Sequence, residues 1–436
     1  MLLRLLLTAA GCLALGGILT DQPRQKGNPA SAVLPETERR GGGEGCGSSV
    51  SLPEKNDLSV EIKKKIDTEH DSLVSLYKHL HANPELSLQE FRTAARMARE
   101  LRELGFEVTE KVGRTGVVGV FRNGKGPTVL VRTDMDALPV TERTGLPYAS
   151  KVRARNREGL EVGVMHACGH DMHMTCWVGT ARVLTSLKDR WKGTLVFIAQ
   201  PAEEIGTGAR LMLEDGLFKK FPRPDYCLAL HCDALTPTGT VSYTSGLALA
   251  NVDSVEIIVK GKGGHGAAPH MTIDPVVIAA RIVLDLQTLV SREINPLDPA
   301  VVTVGSIHGG TKHNIIPDEV RMLLTVRTTK DSVRKHILEG IERIANAAAQ
   351  AARAPKPMVK VDLSEFTPAL ENDPQLTSKT VAALRATLGE KNVRPRQPVM
   401  GGEDFSRYSR DGKSPVFMFW LGTVEPKRFE ESQKEG

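Results

Sequence analysis

Aromatic residues make up only 4% of the 436-residue sequence, and neither sign of charge dominates: 57 Lys and Arg stand against 52 Asp and Glu, a net +5. A surplus this small and dispersed forms no basic stripe, which excludes the electrostatic footprint of a nucleic-acid-binding protein. Cysteine is scarce too. Cys12, Cys46, Cys168, Cys176, Cys227 and Cys232 are irregularly spaced and too few to staple so long a chain, so a hydrophobic core must carry the fold. The 40% hydrophobic content suffices for one large or two ordinary domains. A long apolar run is missing except at the start. There, "MLLRLLLTAAGCLALGGILT" has one positive residue, Arg4, and is too short and too rich in small residues for a stable membrane span. It reads as an export signal over residues 1–20, which places the mature protein in the periplasm or outside the cell; an ordinary buried N-terminal helix, in a cytoplasmic protein, is the alternative. Residues 21–56, with "RRGGGEGCGSS" in their middle, lack hydrophobic periodicity and read as a flexible linker.

Beyond the linker the pattern changes. Amphipathic helices are predicted over Ser59–His81, stopped at "ANPE" by Pro84, and over "LQEFRTAARMARELRELG", with Gly105 as a C-cap. Three apolar strands then each run into polar residues: "PTVLVR" into "TDMDALP", "GTLVFIAQ" into "PAEE", and "YCLAL" into His231. Between the first two, Cys176, Gly179, Val183 and Leu187 mark one face of a helix. This alternation predicts an α/β fold, a mixed, largely parallel sheet flanked by helices, and such sheets place their sites at the carboxyl ends of the strands. From Asn251 the order becomes strand, helix, strand, strand, helix, strand, the ferredoxin-like βαββαβ module. The α/β pattern resumes afterwards. The catalytic domain is therefore predicted over 57–248 and 367–436, with the module inserted over 249–366.

Cysteine and histidine are preferred ligands of zinc-like ions, and Cys168 and His170 stand two apart on a glycine turn in "HACGHD". Alone, that pair reads equally as packing at a helix start. Glu203 and Glu204 in "QPAEE" follow a strand, where adjacent side chains diverge, so one can ligate while the other faces a reacting water. His231 adds a third strand-end residue, and Asp134 and Asp136 in "DMDALP" a fourth. Asp136 can orient a metal-bound histidine, or simply cap a loop. His166 and His173 read as supporting or surface groups. A metal with such ligands plus one free glutamate suits hydrolysis: the ion polarises a carbonyl and lowers the pKa of its water toward about 7, while the glutamate moves the proton.

The motifs "DMDALP", "HACGHD", "QPAEE", "GGHGAAP", "NIIPD" and "MGGEDFS" resemble, in order, those of the M20 metallopeptidase family, in particular its branch of aminoacylases, hippurate hydrolases and indole-acetic-acid–amino acid hydrolases. The resemblance runs from about residue 58 to the end. It implies two divalent metal ions, zinc or manganese, with Cys168 bridging, His170 and His231 completing one site and Glu204 serving the other. It further implies Glu203 as general base and acid and Asp136 as the orienting aspartate, and it sets Asp134 where other branches carry a ligand histidine. The inserted module resembles a lid and dimerisation domain, which implies a homodimer. Within it, His265 matches a histidine that helps polarise the substrate carbonyl, and Asn314 and Arg327 match polar positions near the substrate. The family's last ligand histidine follows "MGGEDF", whereas no histidine follows His336 here. The second metal site is thus one ligand short in these residues, and the expectation is that the chain is truncated at Gly436.

The implied function is a metal-dependent amidohydrolase acting on N-acyl amino acids. A dipeptidase or an N-acetyl-diaminopimelate deacetylase is the alternative enzyme. An exported metal-dependent binding protein without catalysis is the alternative of another class, and Glu203 speaks against it, since a binder has no use for a general base.

Overall fold

The computed structural model describes residues 55–435, so the predicted export signal and residues 21–54 of the linker lie outside the described residues. The described residues begin with helix α1 (Lys55–Ala82), starting four residues ahead of the predicted Ser59, followed by α2 (Phe91–Glu103). Gly105 follows α2 at φ 84°, the left-handed exit that its C-cap role requires. The start of α2 departs from the prediction: Leu88 has φ 64°, and the buried Glu90 carboxylate accepts from the Leu88 N–H at 2.9 Å, so the three residues before Phe91 form a turn.

There follow β1 (Glu107–Val112), β2 (Gly116–Asn123), β3 (Thr128–Asp134), α3 (His170–Ser186), β4 (Gly193–Gln200), β5 (Tyr226–Pro237) and β6 (Val241–Tyr243). Next come β7 (Asn251–Lys260), α4 (Pro275–Thr288), β8 (Ala300–His308), β9 (Glu319–Thr328), α5 (Asp331–Ala351) and β10 (Met358–Thr367). The last elements are α6 (Pro374–Leu388), β11 (Val393–Pro395), β12 (Val416–Val424) and α7 (Pro426–Glu435). Both Asp-Pro starts behave as the sequence predicts. The Asp274 carboxylate accepts from Val276 N at 2.9 Å and that of Asp373 from Leu376 N at 2.7 Å, with proline at the first helical position each time.

The larger sheet has the order β1-β2-β4-β3-β5-β12-β6-β11. Strands β4, β3, β5 and β12 run parallel, and β1 and β2 join antiparallel at one end. Its central strands are buried almost without interruption, as in "GTLVFIAQ" and "VFMFWLG", because apolar layers cover both faces. The second sheet, β8-β9-β7-β10, is antiparallel throughout and carries α4 and α5 on one face. Its chain order β7-α4-β8-β9-α5-β10 is the predicted βαββαβ. Strand β7 alternates between buried and part-exposed residues, as expected for a sheet with one covered face. No helix among the described residues is long and apolar enough to cross a membrane.

One feature of the larger sheet creates the site. The ladder between β3 and β5 stops at Val131 with Leu228. Beyond it β3 pairs only with β4, as far as Asp134 with Gln200, and β5 only with β12. The sheet therefore splits at the carboxyl end of β3, the crevice in which an α/β sheet places its chemistry.

Candidate metal centre

Helix α3 points its first turn into this crevice. Its N-cap, Gly169, sits at φ 82°, and a Cβ there would lie 3.2 Å from the Cβ of Cys232, so both conformation and space call for glycine. His170 is the first residue of the helix and fully buried. Its Nδ1 is 2.8 Å from the Asp136 carbonyl oxygen. A carbonyl only accepts, so Nδ1 carries a proton and Nε2 is the nitrogen left to bind a ligand. That Nε2 is buried without a partner and faces Asp134 Oδ2 at 3.7 Å, Glu204 Oε1 at 3.8 Å and Glu203 Oε2 at 3.9 Å. His231 repeats the arrangement: Nδ1 donates to the Cys232 carbonyl at 2.7 Å, and Nε2 lies 3.4 Å from Cys168 Sγ. Backbone carbonyls thus fix the orientation of both rings, with Nε2 turned toward one thiol and three carboxylates.

Donor atoms of Cys168, His170 and His231 lie within 4.8 Å of one another, and so do those of His170, Glu203 and Glu204. The buried Nε2 of His170 and Oε1 of Glu204, both without partners, fit a bound divalent cation, as does the mixed sulfur, nitrogen and oxygen donor set. Residues 130–434 match the family model described as "Peptidase family M20/M25/M40". The chain belongs to this peptidase family. The N-acetylcysteine deacetylase of Bacillus subtilis is 38% identical over 81% of this chain and 89% of its own. The hippurate hydrolase of Campylobacter jejuni is 36% identical over 81% of this chain and 86% of its own. A solved Bacillus subtilis structure, described as a dinuclear metal-binding peptidase of the M20 family, superposes with a TM-score of 0.66 at 34% identity, covering 82% of this chain and 90% of that one. The protein is accordingly an M20 metal-dependent hydrolase of amide bonds.

In this M20 hydrolase several expectations need correction. Glu203 and Glu204 do not diverge: both carboxylates reach His170 Nε2. Strand alternation does not govern them, because the strand ends at Gln200, the chain turns at Ala202, φ 52°, and the Asp136 carboxylate accepts from the N–H groups of both glutamates, at 3.1 and 3.0 Å. Asp136 is buried and acts twice, through its carbonyl on His170 and through its carboxylate on this turn, while Ser87 Oγ donates to it at 2.6 Å. His231 is not at a strand end, since β5 continues to Pro237. Asp134 is no free ligand position: Oδ2 accepts from Arg132 at 2.6 Å and Oδ1 from His173 at 2.7 Å. His166 and His173 are both buried.

A layer of buried charge behind the ligands was not predicted from the sequence. Arg132, in the middle of β3, is buried and donates to Asp134, to Glu403 Oε1 at 2.8 Å, to Asp404 Oδ1 at 3.2 Å and to Gln200 Oε1 at 3.1 Å. An arginine inside the apolar run "TVLVRTD" was the available signal, because a buried guanidinium requires carboxylate partners. Glu90 braces the glutamate turn from below, accepting from the Ala202 N–H at 2.9 Å.

Burial disfavours charge throughout the crevice, and neighbours decide which groups stay ionised. Burial works against the Cys168 thiolate, but the neighbouring imidazoles of His170 and His231 outweigh it and bring the thiol down to about 6. Burial likewise opposes the His231 cation, yet Cys168 holds it up to about 9. Burial lifts Glu204 to about 8 against the pull of His170, with Cys168 and Asp136 adding to the rise. Burial, reinforced by Glu403 and Asp404, lifts Glu203 well above the ordinary carboxylate range. Protons thus occupy donor atoms that a metal ion would take over, and metal binding releases them.

The other predicted residues belong to the module built on the second sheet. His265 is exposed on a two-residue strand paired with Ile315–Ile316, and its Nδ1 accepts from the Ala267 N–H at 3.2 Å. Asn314 is half-buried beside it, with an Oδ1 that has no partner. Arg327 is half-buried on β9, its guanidinium against the loop at Gly402, where a Cβ would meet Nη1 at 3.3 Å. None of the three shows a hydrogen bond to the crevice residues.

Proposed function

We propose that this M20 hydrolase cleaves N-acyl amino acids to a carboxylate and a free amino acid, using two divalent metal ions, zinc or manganese. Cys168, His170, His231 and Glu204 would hold them. When bound, the ions polarise the scissile carbonyl and acidify a water. Glu203 carries the proton. It takes it from the attacking water at its carboxylate and returns it to the nitrogen of the departing amine. Its burial and the neighbouring Glu403 and Asp404 favour the protonated form that the second step needs. Asp136 keeps the His170 ring and the glutamate turn in register. Arg327, without an anionic partner among the described residues, suits the substrate carboxylate, while His265 and Asn314 serve the scissile carbonyl and the backbone around it. The second sheet module acts as the lid and as the contact of a homodimer.

The observation that supports this reading best is the convergence of Glu203 and Glu204 on the free Nε2 of His170: one carboxylate to ligate and one to move a proton. The relatives that hydrolyse hippurate and deacetylate N-acetylcysteine point to the same bond type. The test is a substrate panel of hippurate, N-acetyl amino acids and dipeptides, each with added zinc or manganese. Release of amino acid from the acylated substrates is expected. Cleavage of dipeptides alone would favour the dipeptidase alternative, and no release from any substrate would refute the enzymatic reading.

A further inference from the structure

His173 lies one turn along α3 from His170, and it is not needed as a ligand by the reading above. Its donor atoms fall within 4.8 Å of those of Asp134 and His170, so distance alone would allow a metal there. The hydrogen bonds argue otherwise. The backbone N–H of Cys232 donates to His173 Nε2 at 2.8 Å, so that nitrogen carries no proton and its lone pair is engaged. Nδ1 must then carry the proton, and it donates to Asp134 Oδ1 at 2.7 Å. Both ring nitrogens are used, in a single neutral tautomer.

The position of these bonds is informative. Asp134 ends β3 and Cys232 lies on β5, the two strands whose ladder stops at Val131 with Leu228. Past that point the Cys232 N–H has no strand partner on the crevice side, and the imidazole supplies one. Asp134 is itself anchored by Arg132, and the ring of His173 stands edge-on to that of His231 with centroids 4.7 Å apart.

We propose that His173 is a positioning residue: a neutral imidazole strut that spans the split between β3 and β5 and fixes the backbone carrying His231, so that His231 meets Cys168 across the crevice. This rests on the assignment of Cys168 and His231 to a metal site. A group that orients ligands in this way supports metal affinity by about 10- to 100-fold without adding a coordination position.

The test compares the full chain with His173→Gln, His173→Leu and Cys168→Ala, using zinc alone as the probe. For His173→Gln, zinc affinity measured by chelator competition is expected to fall within that 10- to 100-fold range, while the ions bound per chain at saturating zinc stay unchanged. His173→Leu should bind more weakly than His173→Gln, because only the amide can both donate to Asp134 and accept from Cys232. Nitrogen NMR of the zinc-free wild type should show His173 protonated at Nδ1 and bare at Nε2, a readout that survives if the leucine variant fails to fold. Loss of a bound ion in His173→Gln, unchanged affinity, or the opposite tautomer would each overturn the proposal. If Cys168→Ala left zinc binding intact, the metal-site assignment would fail instead, and the tautomer would still show whether the strut exists.

Discussion

The stability that His81 contributes should be present at pH 6 and largely lost by pH 9.5. This residue closes α1, and its buried ring lies between two carboxylates, Nδ1 at 2.7 Å from Asp171 Oδ2 and Nε2 at 3.0 Å from Glu142 Oε1. Asp171 follows His170 in the first turn of α3, so the clamp steadies the helix start that presents the ligands. The bond to Asp171 raises the His81 pKa to about 9 against the effect of burial, with Glu142 adding to it. In the unfolded chain the ordinary value is about 6.5. A folded pKa above the unfolded one means the stabilisation is complete below about pH 6.5 and disappears as pH rises through about 9. A shift of that size corresponds to about 3 kcal/mol, which solvent screening near the half-buried Tyr148 reduces to about 2 kcal/mol. Urea unfolding of wild type and His81→Gln at pH 6 and pH 9.5, with EDTA present to remove metal linkage, measures the effect. The penalty of His81→Gln should be larger at pH 6 by about 2 kcal/mol. Equal penalties at both pH values would refute the charged clamp.

Arg132→Met should destabilise by about 3–5 kcal/mol in urea unfolding, because Asp134, Glu403 and Asp404 would be left buried without their cation. Gly208→Ala should lower Tm and weaken zinc affinity together, since a Cβ there would sit 1.5 Å from the Pro201 carbonyl oxygen and push on the turn that carries Glu203; the stability cost should be about 1–3 kcal/mol. His265→Ala should lower the turnover rate while leaving zinc content, read by mass spectrometry, at the wild-type level.

Much of the architecture was legible in the sequence because it rests on short-range signals. Apolar strands followed by polar residues marked the carboxyl edge, the two Asp-Pro pairs marked helix starts, and the strand-helix order from Asn251 onward marked the second sheet. The resemblance also names Cys168, His170, Glu204 and His231; the structure brings the first two together with His231 and sets Glu204 beside His170. What stayed hidden depends on contacts between distant parts of the chain. The partnership of Arg132 with Glu403 and Asp404 joins positions separated by 271 and 272 residues. The direction of Glu203 was misjudged because strand periodicity was extended past Ala202, where the positive φ and the grip of Asp136 reset the backbone. His173 reads from the sequence as a supporting or surface group. Its value appears only once the gap between β3 and β5 is seen, and no local pattern reports that gap.

In the proposed mechanism Glu203 carries the proton and is not a metal ligand. Glu203→Gln keeps the shape of the side chain and removes its basicity, so hippurate hydrolysis and zinc content measured on the same preparation test the claim directly. Turnover should fall by at least about 100-fold with zinc content unchanged. Full activity in Glu203→Gln, or loss of zinc along with activity, would contradict it.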